Sequence, residues 1–215
     1  MILSIPKVRD FKISGQGIAT QWRKANWQDL KKVGSGRLSY KTKAKVVYSV
    51  KGIYFLIVCE DKKISAHMTK DLDHIYKEDV VELFLWPDEE KLLYLEYEVS
   101  PLEVELPLLI ANHNGSFMGW APWEYKNERV IQKKTSVTGG EKRSGAAISS
   151  WTVEIFIPFA LLKGLGNIPA KKGTIWRANI NRFDYDRTPR TKWAWCPDVG
   201  GAFHDYKNFG TFRFE

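Results

Sequence analysis

The sequence predicts an all-β protein of two packed antiparallel sheets, a β-sandwich with one or two short helices. Short apolar runs separated by turn residues recur along the whole chain. Several of these runs alternate with period two, as half-buried antiparallel strands do. No internal repeat, low-complexity tract or Pro/Gly/Ser linker divides the chain. With 215 residues, 44% of them hydrophobic, one well-buried core can form, so residues 1–215 are expected to make a single domain.

In chain order, residues 25–31 are expected to form a short helix. Residues 45–50 and 53–59 flank Lys51-Gly52, a hairpin signal. Residues 80–86 (Val-Val-Glu-Leu-Phe-Leu-Trp) read as a strand that leaves through Pro87-Asp88. Residues 92–99 set Leu93, Leu95, Tyr97 and Val99 against Leu92, Tyr94, Glu96 and Glu98, and the first set belongs inside. Residues 151–157 alternate in the same way until Pro158, after which Phe159-Ala-Leu-Leu-Lys makes one helical turn ended by Gly164. Residues 175–182 and 209–214 supply the last strands. Residues 112–132 and 182–208 read as long loops, which in a small domain usually serve function.

The charge balance is +8, from 33 basic and 25 acidic residues, but no basic stripe or recognition motif accompanies it, so no nucleic-acid partner is expected. The lysine pairs, Lys31-Lys32, Lys62-Lys63, Lys133-Lys134 and Lys171-Lys172 with the cluster from Lys41 to Lys45, are expected at solvated turns. No run of 18 apolar residues exists, which excludes a membrane-spanning helix and a membrane partner of that kind. The stretch Met1-Ile-Leu-Ser-Ile-Pro-Lys lacks the apolar centre of an export signal, so the sequence leaves the protein cytoplasmic or processed. Cys59 and Cys196 are too few for a disulfide framework; Cys59 ends an apolar run and reads as core, and their pairing stays open.

The strand at residues 175–182 is the most informative. Period two puts Arg177, Asn179 and Asn181 on one face and Trp176, Ala178 and Ile180 on the other. A row of Arg, Asn and Asn is costly to bury unpaired, so it faces solvent, a ligand or a satisfied network. Amides and guanidinium match the paired donors and acceptors of sugar hydroxyls. Trp193 and Trp195 point one way if extended, Trp120 and Trp123 form a second pair, and Trp86 stands at a strand end. An exposed indole covers the apolar face of a pyranose ring, so at least one of the five is expected to be a platform. Together Trp86, Trp120, Trp123, Arg177, Asn179, Asn181, Trp193 and Trp195 are the candidate carbohydrate-binding residues, with no catalytic residue and no metal site expected. Carboxylates are available at Asp79, Glu82, Glu96, Glu98 and Glu154, but Asp79 and Glu82 face opposite sides of their strand. Glu82 instead reads as an internal or ligand-facing carboxylate held by a basic partner. The four histidines lack metal-ligand spacing, and His67-Met68 is only a faint match to haem axial ligands. A structural calcium among Asp61, Asp71, Asp73, Asp184 and Asp186 is conceivable without being indicated, so no cofactor is expected.

Collinear short motifs extend this reading. They run from Gln21-Trp22-Arg-Lys-Ala-Asn-Trp27 through Ala44-Lys-Val-Val-Tyr48, Gly52-Ile-Tyr-Phe-Leu and Cys59-Glu-Asp61 to Glu78-Asp79-Val-Val-Glu82. Tyr94-Leu-Glu-Tyr97-Glu-Val-Ser-Pro101, Trp151-Thr-Val-Glu154, Gly173-Thr-Ile-Trp176-Arg-Ala-Asn179, Trp193-Ala-Trp195 and His204-Asp-Tyr-Lys-Asn-Phe209-Gly210 follow in order. With these motifs the chain resembles the family 9 carbohydrate-binding modules and their DOMON-like relatives. The resemblance implies a jelly-roll-like two-sheet sandwich that binds a mono- or oligosaccharide without catalysis. It also implies a bacterial source, a part in polysaccharide degradation, association with a glycoside hydrolase, and a periplasmic or extracellular setting. It matches Asn179 and Asn181 to a sugar-binding polar pair; its paired clamp tryptophans have no fixed counterpart here, where Phe183 and Tyr185 follow the strand.

Three other classes remain open. A deep pocket with two convergent carboxylates would favour a glycan-processing enzyme. His67 and Met68 pointing into a cavity would favour a haem or small-ligand carrier. A flat apolar patch of the aromatic loops would favour a protein-interaction module.

Overall fold

A computed structural model describes residues 1–113, 116–198 and 202–215. In chain order the strands are β1 (Ile2–Ile5), β2 (Gln28–Asp29), β3 (Lys31–Val33), β4 (Thr42–Tyr48), β5 (Gly52–Glu60), β6 (Val80–Trp86) and β7 (Leu93–Val99). Then come β8 (Glu105–His113), β9 (Ser116–Pro122), β10 (Gln132–Thr138), β11 (Ser150–Pro158), the single helical turn α1 (Phe159–Leu162), β12 (Ile175–Asp184), β13 (Thr191–Ala194) and β14 (Gly210–Phe214). Among the described residues they form a nine-stranded sheet, β1-β14-β12-β6-β7-β8-β9 with β13 and β3 attached to β12, and a five-stranded sheet, β10-β11-β5-β4-β2. Every ladder is antiparallel except β1 with β14. The β-sandwich expected from the alternation is the observed architecture.

The main core lies between the sheets. Val81, Leu83, Leu85, Leu95, Tyr97, Val99, Trp176, Ala178 and Ile180 of the large sheet meet Val46, Phe55, Ile57, Trp151, Val153 and Ile155 of the small one. These are the inward sets that alternation predicts for residues 92–99, 151–157 and 175–182, except that Leu93, expected inside, is exposed at the start of β7. The β4–β5 hairpin needs its glycine for space: a Cβ on Gly52 would stand 2.3 Å from the Ile157 carbonyl oxygen.

The large sheet is also apolar on its outer face, where Val80, Phe84, Trp86, Tyr94, Leu106, Leu108, Ile110 and Phe183 pack under Ile75, Phe203, Tyr206 and Phe209. Both faces of β6 are therefore buried along its whole length. The small sheet's outer face is covered by the N-terminal segment, where buried Glu154 anchors Trp22. One carboxylate oxygen accepts Trp22 Nε1 at 2.6 Å and the other accepts the backbone N–H groups of Ser14 and Gly15 at 2.7 and 2.6 Å.

Three expectations are corrected. Residues 25–31 are not helical: a 3-10 turn at Thr20–Lys24 precedes β2 and β3, whose residues pair with β4 and β13. That long-range pairing overrides a weak local preference. Residues 112–132 are not all loop, because β9 pairs along β8. Lys31, Lys32, Lys43, Lys45, Lys133 and Lys134 lie on strands rather than at turns.

At one end of the core, fully buried Arg182 donates to Asp184 at 2.6 Å and Asp61 at 3.0 Å, and also to Thr42 Oγ1 and the Glu60 carbonyl. Its guanidinium stacks on Trp193, 5.0 Å from the ring. Asp79 lies nearby and accepts the backbone N–H groups of Ser65 and Tyr185 at 2.6 and 2.9 Å.

Removing the guanidinium leaves Asp61 and Asp184 buried without their cation. Arg182→Met is therefore expected to lower the unfolding free energy by about 3–5 kcal/mol in urea titration. A loss under about 1 kcal/mol would contradict a charged pair at this position. Burial, then the charges of Asp61 and Asp184, push Asp79 up to about 8 from the ordinary 3.8. Below 3.8 folded and unfolded chains both carry that proton; toward 8 the unfolded chain has released it while the folded chain still holds it. Stability is thus expected to fall through this window, by at most about 1.4 kcal/mol per pH unit from this group. The slope should be shallower in Asp79→Asn, and an unchanged slope would assign it to other groups.

Candidate functional site

The outer face of the large sheet carries the largest concentration of unmet polar chemistry. In register, Glu82 of β6 stands between Asn181 of β12 and Glu98 of β7, and Phe84 stands between Asn179 and Glu96. Leu106 and Leu108 of β8 continue these two rows. Period two thus raises Asn181, Glu82, Glu98 and Glu96 from one floor. One carboxylate oxygen from each glutamate lies within 4.8 Å of the other two.

This floor opens into a cavity of about 480 Å³. One wall is aromatic: Trp120 of β9 meets His74 edge-on at 5.9 Å, and His74 stacks on Tyr76 at 5.4 Å. The opposite wall holds Phe183 and Phe203, 4.7 Å apart, with the Arg190 guanidinium 4.1 Å over Phe183 and Lys192 above Phe203. Phe117 and His204 close the rim, 4.5 Å apart. The Trp120 ring is 41% exposed, so a flat indole is presented beside hydrogen-bonding groups.

Burial, aggravated by Glu96, pushes Glu82 well above the usual carboxylate range, and Arg190 and Lys192 oppose the shift. Burial holds Glu96 up to about 8, and burial with the charges of Glu82 and Glu96 raises Glu98. His204 is pushed down to about 4 by burial, which keeps the ring neutral near neutral pH. Its Nδ1 is 2.8 Å from the Tyr94 hydroxyl, and its Nε2 lies 3.8 Å from a Glu96 oxygen. Glu96 Oε2, Glu98 Oε2 and both polar atoms of Asn181 are buried without a hydrogen-bond partner. Buried polar groups are normally satisfied by protein, water or ligand, so this set is open to hydrogen bonds from a polar ligand.

Two carboxylate triplets could hold a cation. In Asp61, Asp184 and Asp186, the Arg182 guanidinium already bonds the first two. In Glu82, Glu96 and Glu98 the floor faces the cavity. Asp71 does not join the first triplet, for it accepts the Glu105 N–H and pairs with Lys133.

Of the residues expected from sequence, Trp120 lines the cavity and Asn181 stands in its floor row. The others are placed elsewhere. Trp195 is 1% exposed and packs over Gly210, where a Cβ would stand 2.3 Å from the indole. Trp193 is buried against Arg182, and Trp86 is buried with Nε1 donating to the Lys91 carbonyl at 2.9 Å. Trp123 packs half-buried against the main core. Interior indoles such as Trp86, Trp193 and Trp195 cannot serve as platforms. Asn179 is fully buried and staples the chain at Cys196, accepting its N–H at 2.9 Å and donating to its carbonyl at 3.1 Å. Half-buried Arg177 donates to the carbonyls of Lys207 and Phe209. The polar row is therefore two structural staples and one fully buried amide beside the cavity floor, which does not itself line the cavity. Cys59 and Cys196 are free and buried.

Sequence reasoning missed Tyr76, Phe117, Arg190, Lys192, Phe203 and His204 as wall residues. The signal for the floor was present in the outward set Glu96 and Glu98 and in the facing of Glu82. Glu82 does sit against basic neighbours, Arg190 and Lys192. His67 bonds Glu78 at the surface and lies outside this cavity. No described helix is long and apolar enough to cross a membrane.

Comparison with known proteins places this geometry. A curated relative from the fungus Arthroderma benhamiae, named an extracellular protein, is 27% identical over 135 residues, which cover 61% of this chain. The chain spans 55% of that relative's length. Among solved structures, a Bacteroides uniformis protein provisionally described as carbohydrate-binding superposes with a TM-score of 0.81 at 17% identity, covering 100% of this chain and 99% of that one. A family 9 carbohydrate-binding module from Caldicellulosiruptor kristjanssonii in complex with glucose superposes with a TM-score of 0.70 at 17% identity, over 100% and 96% of the two chains. The same organism's module in complex with cellotriose gives 0.69 at 16%, over 100% and 94%. The family model described as carbohydrate family 9 binding domain-like matches residues 13–215, and the chain belongs to that family.

Proposed function

We propose that the chain is a non-catalytic sugar-binding module that seats a mono- or oligosaccharide in the cavity over Glu82, Glu96 and Glu98. The observation that carries this is the pairing of an exposed indole, Trp120, with buried acceptors and an amide that have no protein partner. Hydroxyls of a sugar satisfy such acceptors in pairs, and its C–H face suits Trp120, Phe117 or Tyr76. The glucose and cellotriose bound by the structural neighbours point to the same ligand class. The reading includes one domain over residues 1–215, work beside a glycoside hydrolase in polysaccharide breakdown, and an exported setting, in line with the relative named extracellular.

The convergent carboxylates favour a second reading, a glycan-processing enzyme. Hydrolysis places its two carboxyl groups on either side of the scissile bond. Here all three rise from the same floor within 4.8 Å of one another, so a ring resting on them meets them from one side. That arrangement suits holding better than cutting.

A glycan array and calorimetry with glucose and cellotriose test the first reading. Trp120→Ala is expected to weaken binding by about 1–2 kcal/mol, roughly 5- to 30-fold. Trp27→Ala, an exposed indole on the small-sheet side, should leave binding unchanged. Folded protein that binds no glycan, or that loses binding through Trp27 alone, would overturn the assignment. No reducing sugar should be released from any bound glycan; release abolished by Glu96→Gln would establish catalysis instead.

A further inference from the structure

The unusual feature of the cavity is the sign of its floor. Three glutamates, 2%, 4% and 1% exposed, converge where a neutral sugar would need at most one or two acceptors. Two other buried carboxylates show how donors are supplied elsewhere in the fold. Glu154 takes Trp22, Ser14 and Gly15, and Glu105 takes the hydroxyls of Tyr97 and Tyr125 and the ammonium of Lys133. In the floor, Glu96 and Glu98 bond chiefly to each other, and Glu96 Oε2 and Glu98 Oε2 receive no other donor. Among the described residues Glu78 Oε1, outside the cavity, is the one other buried carboxylate oxygen left so.

We propose that the cavity selects a sugar carrying a free ammonium group, a deacetylated amino sugar, with that group seated among Glu82, Glu96 and Glu98 and a neighbouring hydroxyl on Asn181. The proposal rests on the sugar-binding reading of this cavity and adds the class of sugar. An ammonium donates three N–H bonds in a tetrahedral spread, which at about 2.8 Å each sets the three acceptors about 4.6 Å apart. The three carboxylate oxygens lie no more than 4.8 Å from one another, and Glu96 and Glu98 share a hydrogen bond that an incoming ammonium replaces with its own. The second, independent observation is Asn181, fully buried in the same row as Glu82, with neither Oδ1 nor Nδ2 partnered. A hydroxyl beside the amine supplies one donor and one acceptor, which is what that amide lacks.

The charged groups around the floor leave room for this cation. Arg190 and Lys192 act on Glu82 from the Phe183 and Phe203 side, and His204 is neutral above about 4. The influences on Glu96 and Glu98 are burial and their fellow glutamates, with only a Tyr76 backbone bond opposing at Glu98. Among the described residues that half of the floor has no cationic partner, so its carboxyls keep their protons until a cation is seated against them. A calcium ion would ask for six to eight oxygens. Most of the remaining lining is aromatic, with Phe84, Phe117, Trp120, Phe183 and Phe203 among it, and suits a sugar's C–H face instead.

Three trisaccharides with one β-1,4 backbone, bearing a hydroxyl, an acetamide or an ammonium at C2, separate the outcomes. They are titrated calorimetrically into the intact chain near neutral pH in two buffers of different ionisation heat. The floor carboxyls hold protons there, so seating the ammonium is expected to release a proton. The amino trisaccharide is expected to bind about tenfold or more tightly than cellotriose, and the acetamide least well. Glu96→Gln with Glu98→Gln, which keeps shape and removes the groups that can ionise against the ammonium, should weaken the amino trisaccharide by about tenfold. Because the comparison is made on the unsubstituted protein, it stands even if the double variant does not fold. Equal or tighter binding of cellotriose overturns the ammonium seat and leaves sugar binding intact. Cellotriose binding that appears only with added calcium chloride overturns it in favour of a metal-bridged sugar. Silence of all three, with the protein folded, removes both readings together.

Discussion

The large sheet is apolar on both faces, but the small sheet can cover only one of them. Everything that distinguishes this molecule follows from how the second face is closed. Buried strands on a one-sided sandwich would expose Val80, Phe84, Tyr94, Leu106 and Leu108 to water, at roughly 1.5–3 kcal/mol for each large side chain. The chain answers with Ile75, Phe203, Tyr206 and Phe209, drawn from the segments after β5 and after β13. These covers do not reach every part of the face. Where they part, the floor residues Glu82, Glu96 and Glu98 lie under a cavity instead of under a side chain, with Asn181 beside Glu82 in register.

The molecule handles buried charge in two different ways. At the Arg182 end each carboxylate has an internal donor, and the network joins the sheets. The bonds from Arg182 reach Asp61 and Asp184, and Trp151 Nε1 donates to Asp61 at 3.1 Å. On the outer face one oxygen of Glu96 and one of Glu98 are left without a donor. A group left unsatisfied inside a protein costs about 1–3 kcal/mol, and that cost is recovered when a ligand supplies the missing partner. The same property that weakens the free protein therefore sharpens its preference for what it binds. Burial of Trp193 and Trp195 belongs to the first pattern: one stacks on Arg182 and the other packs over Gly210.

Much of the architecture was legible because alternation of side chains reads directly as face. Leu95, Tyr97 and Val99 inside, with Glu96 and Glu98 opposite, follow from the sequence alone. What alternation does not carry is whether the opposite face meets water, and that depends on segments far along the chain. Asn179 and Asn181 have the same spacing and the same side-chain chemistry. One closes on Cys196 and the other faces the floor, because only Asn179 has the Cys196 backbone beside it. Trp120 could be named from sequence among five indoles, but not singled out, since its exposure depends on β9 lying at the sheet edge. Arg190 and Lys192 sit where β13 brings them back against β12, a pairing set by register.

The account holds that sugar meets the outer face of the large sheet at Trp120 and nowhere near the buried indoles. The indole N–H resonances of the nine tryptophans report on this one by one. Titrated with a bound oligosaccharide in a 1H–15N correlation spectrum, the Trp120 resonance should shift while those of Trp193, Trp195 and Trp27 stay in place. Movement of Trp27 with Trp120 unmoved would put the ligand on the other side of the sandwich and contradict the account.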